Sequence, residues 1–252
     1  MDSRRLPRRL EVLIANAMAK KNIQFDVITL FPEIVEPYVG ASILGRAQKA
    51  KLIEIKAHNL RDWTTDKHKT VDDTPYGGGA GMVMKVEPFE KAVRELSGPP
   101  PARGGARGGG RKRTRIIVTA ASGKSFTQED AKRLAGYDQL IFLCGRYEGI
   151  DHRVTEHIAD EALSIGNYVL TGGELPAMVM IDAIARMVPG VIDAESLASE
   201  SHTQEGFLEY PQYTKPEDYS GWKVPKILLS GDHKKIAQWR EEQAKKKNPP
   251  SP

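Results

Sequence analysis

The chain has 252 residues, a formal net charge of +4 and one cysteine, Cys144. That length allows one large core or two modest ones, and a lone cysteine excludes an internal disulfide framework and fits a reducing, cytoplasmic setting. No apolar run reaches the ~18 to 20 residues that a membrane span needs, which argues against a membrane role. The positive charge is segmental. Residues 1–24 hold six basic and two acidic side chains, and residues 98–115 hold six basic and no acidic ones, so the remainder is net negative. Basic arms of this kind are mostly solvated, yet they also supply salt-sensitive phosphate contacts.

Residues 1–23 read as a flexible basic extension ahead of the fold. Phe25–Leu30 reads as a first buried strand, Ile34–Lys49 has helical spacing, and Leu52–Ala57 alternates as a strand should, which together make a β-α-β opening. A polar stretch with Asp72 and Asp73 then runs into Pro75-Tyr76-Gly77-Gly78-Gly79-Ala80-Gly81-Met82, too glycine-rich to be ordered by its own side chains. It is either a substrate-facing loop or a solvated turn. Glu87–Leu96 predicts a helix with proline at an early position. Residues 98–115, GPPPARGGARGGGRKRTR, are low in complexity and read as a flexible insertion.

Ile116–Ala121 predicts another strand. Thr127 and Asp130 have capping-box spacing for a helix ending near Gly136, and Gln139–Cys144 is again strand-like. Cys144 empties into the loop Gly145–Gly149, and a second apolar-then-glycine element runs from Leu163 to Gly173. Two strands each ending in a glycine turn point to one site beyond the strands' carboxyl ends, where backbone can approach a ligand closely. Arg146, Tyr147 and Glu148 would offer it a cation, a ring and a carboxylate. Glu174–Val188 is apolar nearly all round, a buried or interface helix halted by Pro189-Gly190. Alternating strands and helices predict an α/β fold with a mostly parallel sheet covered on both faces.

Residues 192–204 read as a polar linker. Residues 205–252 read as a small helical, basic domain with a flexible tail, punctuated by Tyr210, Tyr213, Tyr219, Trp222 and Trp239. The tryptophans are assigned to its core in preference to base stacking. Known nucleotide fingerprints are missing: the glycine that a Walker loop ending at Gly123-Lys124-Ser125 requires is Val118, and no GxGxxG occurs. His58, His68, His152 and His157 lack metal-ligand spacing, so no protein-held metal is expected.

Four segments taken together carry a resemblance: TVDDTPYGGGAGM (70–82), CGRYEGID (144–151), SIGNYVLTGGELPAM (164–178) and LLSGDHKKIAQWR (228–240). In this order, over roughly Gln24–Arg240, the chain is similar to the bacterial tRNA (guanine-N1)-methyltransferase family, which methylates guanosine 37 beside the anticodon. The resemblance implies that the sheet carries a deep trefoil knot, a topology that periodicity could never suggest, and spans residues 24–191. It implies S-adenosylmethionine as cofactor, held by three loops. On this chain they supply Thr119, Ala120 and Ser122; Gly145, Tyr147, Glu148 and Gly149; and Ile165, Gly166, Asn167, Tyr168, Val169, Leu170, Gly172 and Gly173. It further implies the tRNA anticodon arm as partner, a homodimer with a shared active site, and activity helped by Mg²⁺. The family's usual C-terminal helices look curtailed here.

Methylating guanine at N1 requires removal of a proton that stays on at neutral pH, while the methyl is aligned behind the nitrogen. The family uses a linker aspartate as base and an arginine from the interface helix. Arg186 falls at the arginine position, with an ion pair to Asp182 one turn earlier as its plain alternative. The ungapped aspartate position holds Ser201, so Glu200, one residue before it, is the expected functional carboxylate; His202 competes on its suitable pKa. Two rivals stay open: a knotted RNA methyltransferase of other specificity, acting on a ribose 2′-hydroxyl, and a non-catalytic RNA-binding protein.

Overall fold

The computed structural model describes residues 22–98, 112–193, 196–197, 200–202 and 207–247. Expectations for residues 1–21, for 99–111 and for the last five residues lie outside these. Two compact units divide between Ile192 and Asp193. The first runs β1 (Ile23–Thr29), α1 (Pro32–Val39), α2 (Ser42–Lys49), β2 (Ile53–Asn59), β3 (Asp72–Asp73), β4 (Val83–Met84), α3 (Val86–Ser97), β5 (Thr114–Ser125), α4 (Gln128–Leu134), β6 (Gln139–Cys144), α5 (His152–His157), β7 (Glu161–Ser164) and α6 (Glu174–Arg186). The main sheet has the order β2-β1-β6-β5-β7, and every neighbouring pair is parallel.

A parallel sheet covered on both faces needs strands apolar on both sides, and β6 shows why the sequence reads as it does. All six of its residues are buried. Leu140, Phe142 and Cys144 pack into one core with α1, α2, α4 and α6, whereas Ile141 and Leu143 face α3 and α5. Each fully buried side chain of this size contributes ~1.5 to 3 kcal/mol over exposure. The buried charge on β1 is matched: Asp26 accepts from Gln139 Nε2 at 2.7 Å and pairs with His58 Nε2 at 2.8 Å. Burial pushes its carboxyl up, but hydrogen bonds from His58, Gln139 and Gln24 outweigh that and hold it below the usual value.

The helical spacing of Ile34–Lys49 covers two helices rather than one. Pro37 removes a donor inside α1, and Ala41 is extended (φ −101°, ψ 164°) before α2 begins. The pattern survives the break because Val35, Val39, Leu44 and Ala47 all enter the same core. The capping box is present: Thr127 Oγ1 accepts from Asp130 N at 3.3 Å, and Asp130 Oδ2 accepts from Thr127 N at 3.2 Å.

Strand β5 is twice the expected length. It starts at Thr114, inside the stretch read as insertion, and continues to Ser125 because its pairing with β7 shifts register between Thr119 and Lys124. Residues 120–123 therefore form a bulge within a strand, not a loop after one. Gly123 permits it, since a Cβ there would lie 2.7 Å from the Ala162 carbonyl.

The second unit contains β8 (Asp218–Tyr219), β9 (Trp222–Lys223) and α7 (His233–Lys247). The expected helix is present as α7, and a short antiparallel hairpin turned at Ser220 (φ +53°) and Gly221 (φ +88°) precedes it. Trp239 packs against Tyr213, ring centroids 6.4 Å apart. Trp222 is 76% exposed and is not core. Among the described residues no helix is long and apolar enough to cross a membrane.

Candidate active site

A cavity of about 400 Å³ opens at the carboxyl ends of β6 and β7, beside the bulge of β5. Three chain segments line it, and all belong to the first unit. Strand β5 supplies Thr119 and, from its bulge, Ala120 and Ser122. The loop after β6 supplies Gly145, Tyr147, Glu148 and Gly149, and the loop after β7 supplies Ile165, Gly166, Tyr168, Val169, Leu170, Gly172 and Gly173. Asn167 alone of the expected lining set is absent. It is exposed in a turn that Tyr168 N closes onto Gly166 O at 3.0 Å.

The second segment is tightly made. Gly149 N donates to Arg146 O at 3.0 Å, Gly149 has φ +119°, and Tyr147 takes the left-handed region at φ +59°, where a side chain is strained. Strand β4 anchors it: Met84 N donates to Gly149 O, and Asp151 N donates to Met84 O, each at 3.0 Å. Glu148 N donates to Met82 O at 3.0 Å, and the Glu148 side chain covers Gly81, so the glycine-rich loop between β3 and β4 borders this segment. Asp73 caps Thr74 N at 2.9 Å and pairs with Lys85 at 3.4 Å.

In the third segment, Ser164 Oγ accepts from Gly166 N at 3.2 Å and donates to Gly166 O at 2.9 Å. Gly173 N donates to Gly145 O at 2.9 Å, which joins third segment to second. Walls of this kind present main-chain amides and carbonyls to a ligand. Cys144 lies behind them, fully buried. Burial first, and the nearby Glu174 charge second, push its thiol well above the ordinary range, so it is protonated and inert.

Arg146 lines the cavity as expected, but its cation is already engaged. Its guanidinium turns onto Glu174, Nε to Oε1 at 3.1 Å and Nη2 to Oε2 at 2.9 Å, instead of standing ready for a ligand. The glycine-rich motif showed that a cation was present but not its partner. Ile150, His152, Thr155, Thr171 and Pro176 also line the cavity and carried no distinguishing sequence signal.

Arg186, expected to act on substrate, is not among the lining residues. Arg186 is half-buried in the last turn of α6, and Asp182, the alternative partner weighed for it, accepts from Tyr38 OH at 2.6 Å. Within the second unit Glu200 is half-buried, Ser201 Oγ accepts from Glu209 N at 2.9 Å, and His202 (φ +65°) donates its N–H to Phe207 O at 2.7 Å. Ser201 is thereby used to shape a turn. Among the described residues no three His, Cys, Asp or Glu side chains cluster to hold a metal.

The family described as tRNA (Guanine-1)-methyltransferase TrmD matches residues 23–249. The chain belongs to this methyltransferase family. It is 55% identical over 218 residues to the tRNA (guanine-N(1)-)-methyltransferase of Thermomicrobium roseum, which covers 86% of this chain and 77% of that protein. It is 52% identical over 223 residues to the one from Ruminiclostridium cellulolyticum, covering 88% and 91%, and 51% identical over 226 residues to the one from Dictyoglomus turgidum, covering 89% and 86%.

Proposed function

We propose that the protein transfers a methyl group from S-adenosylmethionine to N1 of guanosine 37 in tRNA, in the cytoplasm. The observation that carries this is the meeting of three segments in one main-chain-walled cavity within a chain that matches the methyltransferase family along 23–249. The cavity fits such a donor. Its volume suits a nucleoside-sized ligand, and Gly145, Gly149, Gly166, Gly172 and Gly173 bring bare backbone to its walls. Main-chain groups of Ile165, Gly166, Tyr168, Val169 and Leu170 would hold the adenine, with Gly145 close by. Once bound, S-adenosylmethionine supplies an electrophilic methyl.

The remaining chemistry falls to the chain's own residues. Glu200 removes the N1 proton, worth ~10²- to 10⁴-fold in rate. Arg186 steadies the charge that then develops on the purine's carbonyl oxygen. Ser201 supports the turn that carries Glu200.

Residues 24–191 would form the cofactor domain, 192–204 the linker and 205–252 the domain that takes the anticodon arm. A deep trefoil knot is supported by a sheet order in which β6 lies between β1 and β5. A homodimer with a shared active site is supported by a half-exposed apolar face on adjacent helices, Ile34 and Tyr38 of α1 with Leu175 and Val179 of α6.

Methyl transfer to tRNA transcripts with guanosine 37, or with another base there, tests the proposal. The expected product is 1-methylguanosine from the first transcript alone. Transfer that ignores the base at position 37 would overturn it.

A further inference from the structure

Glu174 is the buried carboxylate at the start of α6, 1% exposed, and it gathers groups from distant parts of the chain. Thr29, at the end of β1, donates its hydroxyl to Oε1 at 2.5 Å and accepts from Phe31 N at 2.9 Å. Arg146 grips both carboxylate oxygens, sends Nη1 to the carbonyl oxygen of Thr171 at 3.2 Å, and lies over the Phe31 ring at 4.7 Å. Gly172 runs so close that a Cβ would strike Arg146 Nε.

A buried ion pair is weak evidence for stability, because desolvation offsets the attraction. What a guanidinium adds is a planar fork that fixes several acceptors in one geometry. Here the acceptors belong to α6 and to Thr171, near the end of the segment after β7. Nearby Val169 is among the more exposed apolar residues, so that segment has little core of its own to order it.

We infer that Arg146 is a positioning residue: through Glu174 and the Thr171 carbonyl it holds residues 165–173 in the shape that receives the methyl donor. It does not bind tRNA phosphate, as an arginine in a substrate-edge loop otherwise would. The inference rests on the cofactor reading above and deepens it.

The test uses the full chain and the variants Arg146→Lys and Thr29→Val. Lysine keeps the charge but cannot span two carboxylate oxygens and a carbonyl at once. Valine removes one bond to Glu174 and leaves both charges in place. In ligand-free Arg146→Lys, amide hydrogen exchange of residues 165–173 is expected to quicken about tenfold, more than elsewhere. The dissociation constant for S-adenosylmethionine should rise about tenfold, KM for the donor should rise more than kcat falls, and KM for tRNA should stay within about twofold. Thr29→Val should shift exchange and donor affinity the same way by less, and it carries the test alone if the lysine variant does not fold. Unchanged exchange in 165–173, exchange raised evenly over the chain, or a raised KM for tRNA with donor affinity intact would each overturn the inference. Wild-type protein that fails to bind S-adenosylmethionine would sink the cofactor reading, while the exchange measurement would still decide whether Arg146 orders the loop.

Discussion

Gly173 and Thr119 approach so closely that a methyl on Gly173 would overlap the threonine hydroxyl and stand 2.8 Å from the Cα of Cys144. With φ −84° and ψ −8°, Gly173 occupies a conformation open to any residue. Its requirement is therefore steric, not torsional. Three backbone segments converge on the cavity, and only a residue without a side chain fits between them.

Gly173→Ala tests this directly. The new methyl meets backbone that cannot swing away, so overpacking should cost ~1 to 3 kcal/mol of stability. Thermal melts should show the loss, and calorimetric titration should show weakened S-adenosylmethionine binding. Wild-type affinity and melting temperature together would refute the steric reading.

Glu200→Gln is expected to slow single-turnover methylation by ~10²- to 10⁴-fold, as loss of a general base does. Ser201→Ala should cost far less, since the Ser201 oxygen serves the Glu209 amide at 2.9 Å. Equal turnover in the two variants would remove Glu200 from its role.

Asp130 makes stability depend on acid. Burial would raise its carboxyl, but hydrogen bonds from Lys124, Arg133 and Thr127 hold it at about 2 against an ordinary 3.8. A carboxyl lowered on folding stabilises the native state above its unfolded pKa, and that contribution fades as pH falls from about 4 through about 2. It amounts to at most about 2 kcal/mol, less because the Lys124 partner is well exposed and screened. Urea melts at pH 7, 4 and 2.5 should fall less steeply for Asp130→Asn than for wild type.

Cys144 should resist thiol reagents at pH 8 in the folded protein and react at once in guanidinium, because its thiol is buried and held protonated. Rapid labelling of native protein by a disulfide reagent would contradict that placement.

Val179→Asp sets a charge in the apolar face shared by α1 and α6. Sedimentation should show a dimeric wild type and a monomeric variant whose methylation is lost along with the interface. A variant that stays dimeric would move the interface elsewhere.

Much of the scaffold was legible in the amino-acid order, because burial leaves a local record. The continuous apolar run of β6, the Thr127–Asp130 box and the apolar Glu174 helix each depend on neighbours a few residues apart. Of the residues that the resemblance implied for the cofactor, all but Asn167 line the cavity. The break between α1 and α2 is marked only by Pro37 and not by the periodicity, since both helices turn their apolar sides to one core.

What the chain order determined alone is therefore that long apolar strands alternate with helices in the first unit, which of those elements are buried, and which glycine turns follow them. Tertiary structure decided the rest. The β5 bulge exists because Gly123 meets Ala162, Arg146 turns inward because Glu174 lies beneath it, and Thr29 reaches Glu174 across 145 positions of sequence. Hydrophobic spacing records how often a side chain is shielded from water, whereas the direction of a hydrogen bond is set by a partner that folding alone brings within reach.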